Sequence, residues 1–364
     1  MAWRLLKACE RNRSNLHDHE TTPLDREARS RHGPAALTQK DMMPNEFHLI
    51  RGRALPAAIT RPVIAIGNFD GLHRGHHAVI DAARELAKEL HRPAAVLTFE
   101  PHPRSFFKPD APLFRLTPET IKAKLLARFG LQAMIVLPFD SAMASTTAEH
   151  FINDILFREL NVAGVVVGHD FHFGKGRGGT PQSIAEACRQ DGRAALIIEA
   201  LLEKGAAVSS SAVRAALAEG DMPRANHLLG YRYLFEAEVR HGEKIGRTLG
   251  YPTANLRLPE NSVLKQGIYT VRVAVGEKVY GGVASYGRRP TFDNGAPLFE
   301  VFLFDFTGDL YGKTLQVECV AWQRGEIKFD GIEPLIAQMN IDALEARAIL
   351  AAPVDPEAPS LLPL

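Results

Sequence analysis

The chain has 364 residues, 46% of them hydrophobic and 23% charged, with a formal net charge of +1. That length suits two domains better than one, and the composition is that of an ordinary globular protein rather than a disordered or fibrous one. The near-neutral balance excludes a global pull on nucleic acid or a membrane surface, so any anion site must be local.

No apolar run is long enough to span a bilayer. Cys9, Cys188 and Cys319 are too far apart in sequence for a metal-spaced pair. Three isolated cysteines fit a reducing cytoplasm and no disulfide framework.

Residues 1–45 are rich in Arg, His, Asp and Glu and lack hydrophobic periodicity. They are expected to form a disordered N-terminal extension. The apolar part of Met1–Lys7 is too short for a signal peptide, and Glu10, Asp18, Glu20, Asp25 and Glu27 argue against a mitochondrial transit peptide. Met42 and Met43 stand where the folded pattern begins. The natural start is therefore expected there, which the intact mass of the protein from its own host would check.

Residues 46–229 alternate strand and helix. Val63–Ile66, behind Pro62, is a short apolar run of the kind found in interior parallel strands. It leads into Gly67-Asn-Phe-Asp-Gly-Leu-His-Arg-Gly-His-His77, and a helix with Ala78, Val79, Ala82, Ala83, Leu86 and Leu90 on one face follows. Gly67, Gly71 and Gly75 allow tight turns and close backbone approach. His73 and His76, three apart, can point the same way at the helix start, where free N–H groups and the dipole favour anions. A strand-helix turn with surface histidines is the bland reading. Strand, glycines and helix start in register point instead to a polyphosphate site.

Further strands are predicted at Ala94–Thr98, Ala133–Leu137, Val165–Gly168 and Ala195–Ile198, and helices at about 76–90, 118–129, 147–159 and 181–190. Thr117 is the expected N-cap of the second helix, with Pro118 at its first position. This alternation implies a parallel sheet covered on both faces, with ligands beyond the carboxyl ends of its strands. The loops Asn68–His76 and Gly168–Gly179 should then face one crevice. In the second loop Phe171 and Phe173 could stack on a ring and Asp170 could accept hydrogen bonds from a sugar or base. Composition alone would make it a flexible glycine-rich loop.

Two short helices are expected over 209–229, split by Gly220-Asp-Met-Pro223. Ser209-Ser-Ser-Ala-Val-Arg214 places hydroxyls, backbone N–H groups and an arginine at the start of the first, which suits phosphate. An ordinary N-cap with a surface arginine is the alternative.

Over 230–352 the pattern changes to alternation, at Phe235–Val239, Tyr269–Val275, Val279–Ala284, Leu298–Phe304 and Leu315–Val320. Short strands separated by Gly and Pro suggest a small antiparallel β-barrel. A closing helix is expected near 332–350, and residues 353–364, rich in Pro and Ala, are expected to fray. Gly246-Arg-Thr-Leu-Gly-Tyr-Pro-Thr-Ala-Asn255 reads chemically as a glycine-rich turn with a Mg²⁺ ligand candidate in Thr253. It lacks the Gly-Lys-Ser/Thr ending of a Walker loop.

The His73-Arg-Gly-His76 spelling is the signature of nucleotidyltransferases, and the block Gly67–His76 resembles the adenylyltransferase module of bacterial bifunctional riboflavin kinase/FAD synthetases. Thr98–Arg104, the Gly168–Gly179 loop, Gly220-Asp221 and Leu228-Leu-Gly230 are similar to the same family, in the same order. So are Pro252–Asn255, Gly287–Phe292, Phe299–Phe306 and Asp309–Gly312, which resemble its kinase module. The resemblance implies a Rossmann-like α/β domain followed by a kinase barrel, acting on ATP, riboflavin and FMN with Mg²⁺. It implies His73, His76 and Arg214 in adenylyl transfer, with Gly67, Asn68, Asp70, Gly75, Gly168, Asp170, Phe171, Ser210 and Ser211 as nucleotide or flavin contacts. On the kinase side it implies Glu300 as base, Thr253 and Asn255 at the metal, and Gly246 and Arg247 near the phosphates. Alternation alone could leave Glu300 on a solvated strand face. A chain with one surviving activity, or a non-catalytic flavin-binding regulator, is the competing expectation. No aromatic-basic patch suggests nucleic acid, and nothing in the chain fixes an oligomeric state.

Overall fold

The computed structural model describes residues 46–241, 251–288 and 297–364. The expected extension over 1–45 lies outside the described residues, as do Gly246, Arg247 and residues 289–296.

The first half is a six-stranded parallel sheet. Its strands are β1 (His48–Arg51), β2 (Val63–Ile66), β3 (Ala94–Glu100), β4 (Ala133–Pro138), β5 (Gly164–Gly168) and β6 (Ala194–Ile198), in spatial order β1-β4-β3-β2-β5-β6. Side chains alternate across it. Val63 and Ala65 pack under helices α1 (Arg74–Glu89) and α3 (Glu119–Arg128), while Ile64 and Ile66 join Ile155, Leu156 and Ile184 on the other face. Burial on both faces is why these strands read as continuous apolar runs.

Short helices α2 (Pro103–Phe107) and α4 (Ser141–Ser145) follow β3 and β4. The expected helix over 147–159 forms as one α turn, α5 (Ala148–His150), continued in wider π-type turns over Phe151–Glu159. Helix α6 (Pro181–Gln190) opens with a reciprocal cap between Thr180 and Ser183. A small hairpin, β7 (Leu202–Glu203) and β8 (Ala206–Ala207), precedes α7 (Ser210–Glu219) and α8 (Met222–Leu229). Both α7 and α8 close on left-handed glycines, Gly220 and Gly230, with φ of 75° and 77°.

The second half is a closed antiparallel barrel. It is built from β9 (Leu234–Arg240), β10 (Thr253–Arg257), β11 (Gly267–Val275), β12 (Lys278–Arg288), β13 (Pro297–Leu303) and β14 (Thr314–Arg324), in order β10-β13-β12-β11-β14-β9. Closure removes free sheet edges. Helix α9 (Ile332–Ala351) packs on its outside, against β12 and β11. Strands β1, β7, β8 and β10 and the short helices α2 and α4 are additions to the predicted elements.

Two local expectations differ. Pro118, not Thr117, sits at the cap position of α3, and the Thr117 hydroxyl instead accepts from Gly71 N at 2.8 Å and donates to Phe69 O at 3.3 Å. Residues 353–364 do not fray freely: 353–357 are exposed, but 358–364 dock. Ala358 and Leu361 are buried, Ser360 Oγ and Leu361 N donate to the Glu318 carboxylate at 2.7 and 2.8 Å, and Leu364 N donates to Gln316 at 2.9 Å. Glu318 is fully buried, so these donors answer a carboxylate that would otherwise lack hydration. Burial still pushes its carboxyl upward.

Candidate functional site

In the α/β half the chain moves outward from β2 through β3 to β4, then returns to place β5 on the other side of β2. Such a reversal opens a crevice at the strands' carboxyl ends. A cavity of about 1040 Å³ lies there, lined by the Gly67–His76 segment, the Gly168–Arg177 loop and Ser209–Arg214. Three motifs distant in sequence thus meet at one place. Gly67, Asn68, Asp70, Gly75, Gly168, Asp170, Phe171, Ser210 and Ser211 all line it, with His73, His76 and Arg214.

The turn out of β2 needs its glycines. Gly71 has φ of +86°, and a Cβ there would meet Leu116 Cδ1 at 2.7 Å. A Cβ on Gly75 would press on the His73 ring and on Val208 O, each at 3.2 Å.

His73 caps α1 through its backbone, and its ring stacks on that of His76 with centroids 3.7 Å apart. Nδ1 of each ring is buried without a hydrogen-bond partner among the described residues. Burial, with His77 and Arg214 adding, pushes His73 down to about 4. Burial, with the neighbouring His73, His77 and Lys122, holds His76 well below the usual range. Both imidazoles are therefore neutral at pH 7. They offer N–H groups to a phosphate, not the extra charge that two protonated rings would bring.

These lowered values set a stability window. The unfolded chain takes up protons on these imidazoles near pH 6.5, whereas folded His73 does so only near pH 4. Their contribution is full above pH 6.5 and is lost as pH falls through that interval, by roughly 3 kcal/mol for His73 alone. The urea midpoint should fall between pH 7 and pH 5, and His73→Asn should flatten the slope. A variant as steep as the native protein would contradict this origin.

Under the loop lies a buried ionic cluster. Asp70, 2% exposed, pairs with Arg214, lies 3.7 Å from Arg115 Nε and accepts from Thr117 N at 3.1 Å. Arg115 grips Glu100 through two bonds of 3.0 and 2.7 Å. Burial pushes the Glu100 carboxyl up, but the hydrogen bonds and charge of Arg115 outweigh it, and the net shift is downward. Lys122, fully buried, donates to Asn68 O at 2.8 Å and stands 3.8 Å from Glu100. Burial, then the charge of Arg115, pushes its ammonium down to about 8. Three cations face two carboxylates, which leaves the cluster favourable to an anion.

Arg214 is held by Asp70 and by Phe114 O, 2.9 Å from its Nε. Ser210 Oγ donates to Asp70 O at 2.7 Å, so this hydroxyl holds the loop. Phe171 stacks on Phe173 with centroids 5.5 Å apart, and Asp170 is exposed at the mouth. His102 and Arg104 from the Thr98–Arg104 stretch also line the cavity. Sequence reasoning missed Arg115, Lys122 and Tyr231, and read Thr117 only as a helix cap.

In the barrel, Asn255 on β10 is directly opposite Glu300 on β13, and Glu300 is opposite Ser285 on β12. Thr253 is opposite Phe302. Strand alternation puts Thr253, Asn255 and Glu300 on one face, while Phe299, Val301 and Leu303 fill the interior. Asn255 is buried and Glu300 half-buried. The Thr253 hydroxyl and Asn255 carbonyl are hard oxygen donors, the type Mg²⁺ takes while keeping waters and substrate phosphates. No group of three or more His, Cys, Asp or Glu among the described residues could hold a metal ion.

Comparison with known proteins adds independent findings. Residues 56–212 match the FAD synthetase family and residues 229–350 the riboflavin kinase family. The bifunctional riboflavin kinase/FMN adenylyltransferase of Escherichia coli K12 is 38% identical over 286 residues, 78% of this chain and 91% of the relative. That of Pseudomonas fluorescens is 40% identical over 300 residues, 80% of this chain and 93% of the relative. A solved structure from Streptococcus pneumoniae, described as a macrolide-efflux protein, has a TM-score of 0.73 at 29% identity, covering 82% of this chain and 98% of that one. No helix among the described residues here is long and apolar enough to cross a membrane. With both families matched in order and the bifunctional relatives covered over more than nine-tenths of their length, the chain belongs to the bifunctional riboflavin kinase/FMN adenylyltransferase family.

Proposed function

We propose that the chain makes FMN from riboflavin and ATP in a barrel domain over 230–352, and FAD from FMN and a second ATP in an α/β domain over 46–229. The observation that carries the transferase assignment is the cavity of about 1040 Å³ where three phosphate-suited motifs converge. That volume is at the upper end of the range for ligand pockets, which leaves room for large substrates.

In the transferase, an FMN phosphate oxygen forms a bond to the α-phosphorus of ATP, the α–β bridging bond breaks, and pyrophosphate leaves. The nucleophile is already an anion, so no base is needed. The chain's task is to bring anions together. His73 and His76 donate N–H groups to phosphate oxygens, Arg214 supplies charge, and Ser211 and the backbone at Gly67, Asn68 and Gly75 border the phosphates. Phe171, Gly168 and Asp170 border the base and sugar.

In the kinase, Glu300 takes the proton of the ribityl 5′-hydroxyl as that oxygen bonds to the γ-phosphorus of ATP, the β–γ bridging bond breaks and ADP leaves. Thr253 and Asn255 would hold Mg²⁺, which offsets charge on the transferred phosphoryl group. The assignment of Gly246 and Arg247 to the phosphates rests on resemblance. We place the protein in the cytoplasm, where its free thiols Cys188 and Cys319 stay reduced. Its partners in this reading are small molecules, with no nucleic acid or membrane.

Purified protein incubated with riboflavin, ATP and MgCl₂, with flavins resolved over time, should give FMN and then FAD. FMN alone would remove the transferase half of the reading. No product from either riboflavin or FMN would overturn both halves.

A further inference from the structure

The turn out of β2 has an unusual division of its polar groups. All four carbonyls from Asn68 to Gly71 are taken by side chains, which come from three separate parts of the chain. Lys122 Nζ, on α3, donates to Asn68 O at 2.8 Å. The Thr117 hydroxyl, just before α3, donates to Phe69 O at 3.3 Å. Ser210 Oγ, on α7, donates to Asp70 O at 2.7 Å. Tyr231 OH, between α8 and the barrel, donates to Gly71 O at 2.8 Å.

The donors of the same stretch are treated differently. Gly71 N is held by Thr117 at 2.8 Å, but the N–H groups of Asn68, Phe69 and Asp70 have no hydrogen-bond partner among the described residues. The backbone is held against its own preference here, with φ of 48° at Phe69 and 39° at Leu72. A carbonyl dipole turned toward a polyphosphate would repel it, whereas an N–H attracts it.

We infer that Lys122, Thr117, Ser210 and Tyr231 are positioning residues for adenylyl transfer, a four-point lock that keeps the loop's carbonyls turned away from the substrate phosphates. This rests on the α/β half being the transferase. Of the four, only Ser210 lines the cavity; Lys122, Thr117 and Tyr231 lie outside its lining and act through the loop. The lock's charge and burial agree with that work. Lys122 and Tyr231 are both buried, and burial pushes the Tyr231 phenol up, so it stays a donor. The groups facing the Lys122 ammonium are Arg115, Glu100, Asp70 and Glu119, and His76 feels it in turn.

The test uses variants that remove one hydroxyl with little change of shape. Tyr231→Phe and Thr117→Val should each lower kcat for FAD formation from FMN about tenfold, the usual scale for one lost hydrogen bond. The KM for FMN and the rate of FMN formation by the same chain should stay unchanged. Thr117→Ser, which keeps the hydroxyl, should retain the native kcat. A merely structural role would lower the unfolding midpoint and leave kcat of the folded fraction unaltered. Native kcat in both hydroxyl-deleted variants would overturn the inference, as would a parallel fall in kinase rate. Failure of the unaltered protein to form FAD would overturn the transferase reading along with it.

Discussion

His76→Ala is expected to lower FAD formation by on the order of a hundredfold or more, while FMN forms from riboflavin at the native rate. His76 is half-buried, but its ring stacks on His73 and carries a buried Nδ1 with no partner among the described residues. An unpaired polar atom in a packed site is costly unless something else occupies it at work. The substrate phosphates are the natural candidate, and a neutral imidazole can donate to them without a proton having to be taken up. Chromatographic assay of the two products from one preparation checks this. An equal fall in both activities, with the fold intact, would contradict a two-site enzyme. The expected rate loss is also insensitive to protonation, since His76 is held well below its usual range by burial.

Glu300→Gln should produce the opposite pattern, with FMN synthesis lost by a hundredfold or more and FAD still formed from supplied FMN. The substitution keeps the shape and removes the ability to accept a proton. The cross-strand pairing with Asn255 on one side and Ser285 on the other fixes Glu300 within the same face as Thr253. Unchanged kinase turnover would remove Glu300 from the role of base. Asn255→Ala offers a useful contrast, because it should weaken the metal's effect and respond to raised MgCl₂, which Glu300→Gln should not.

Much of this architecture was legible because burial leaves a simple trace. Strands β2 to β5 are covered on both faces and so appear as unbroken apolar runs, with Val63–Ile66 matching to the residue. Helices α6, α7 and α8 announce their starts through Thr180, Ser209 and Asp221, each of which caps as its type suggests. β1 left no such trace, being four residues long and largely exposed. β10 was hidden because its outward positions, Thr253, Asn255 and Arg257, are polar and the strand directly follows Pro252.

The ionic cluster was illegible for a different reason. Lys122 and Lys124 sit two apart on α3 and look alike in sequence. One is fully buried beneath the loop, and the other reaches Glu236 on the barrel. Only the tertiary packing separates them. Thr117 has all the marks of a cap, but the turn out of β2 competes for its hydroxyl and wins. The last residues looked frayed because Pro and Ala carry no periodicity, while what holds them is a buried glutamate on another strand.

The C-terminal segment bears on how separable the two halves are. Its Glu357 lies 3.0 Å from His227 Nδ1, His227 Nε2 lies 3.0 Å from Glu203, and Glu203 pairs with Arg74, the residue between His73 and Gly75. A chimera that joined residues 46–229 to a foreign barrel would therefore import neither the Tyr231 hydroxyl nor the Glu357 carboxylate. The cut point in this enzyme therefore lies beyond Tyr231, whose buried hydroxyl holds Gly71 O, whereas the exposed Glu357 pair, on the far side of the barrel in sequence, adds little.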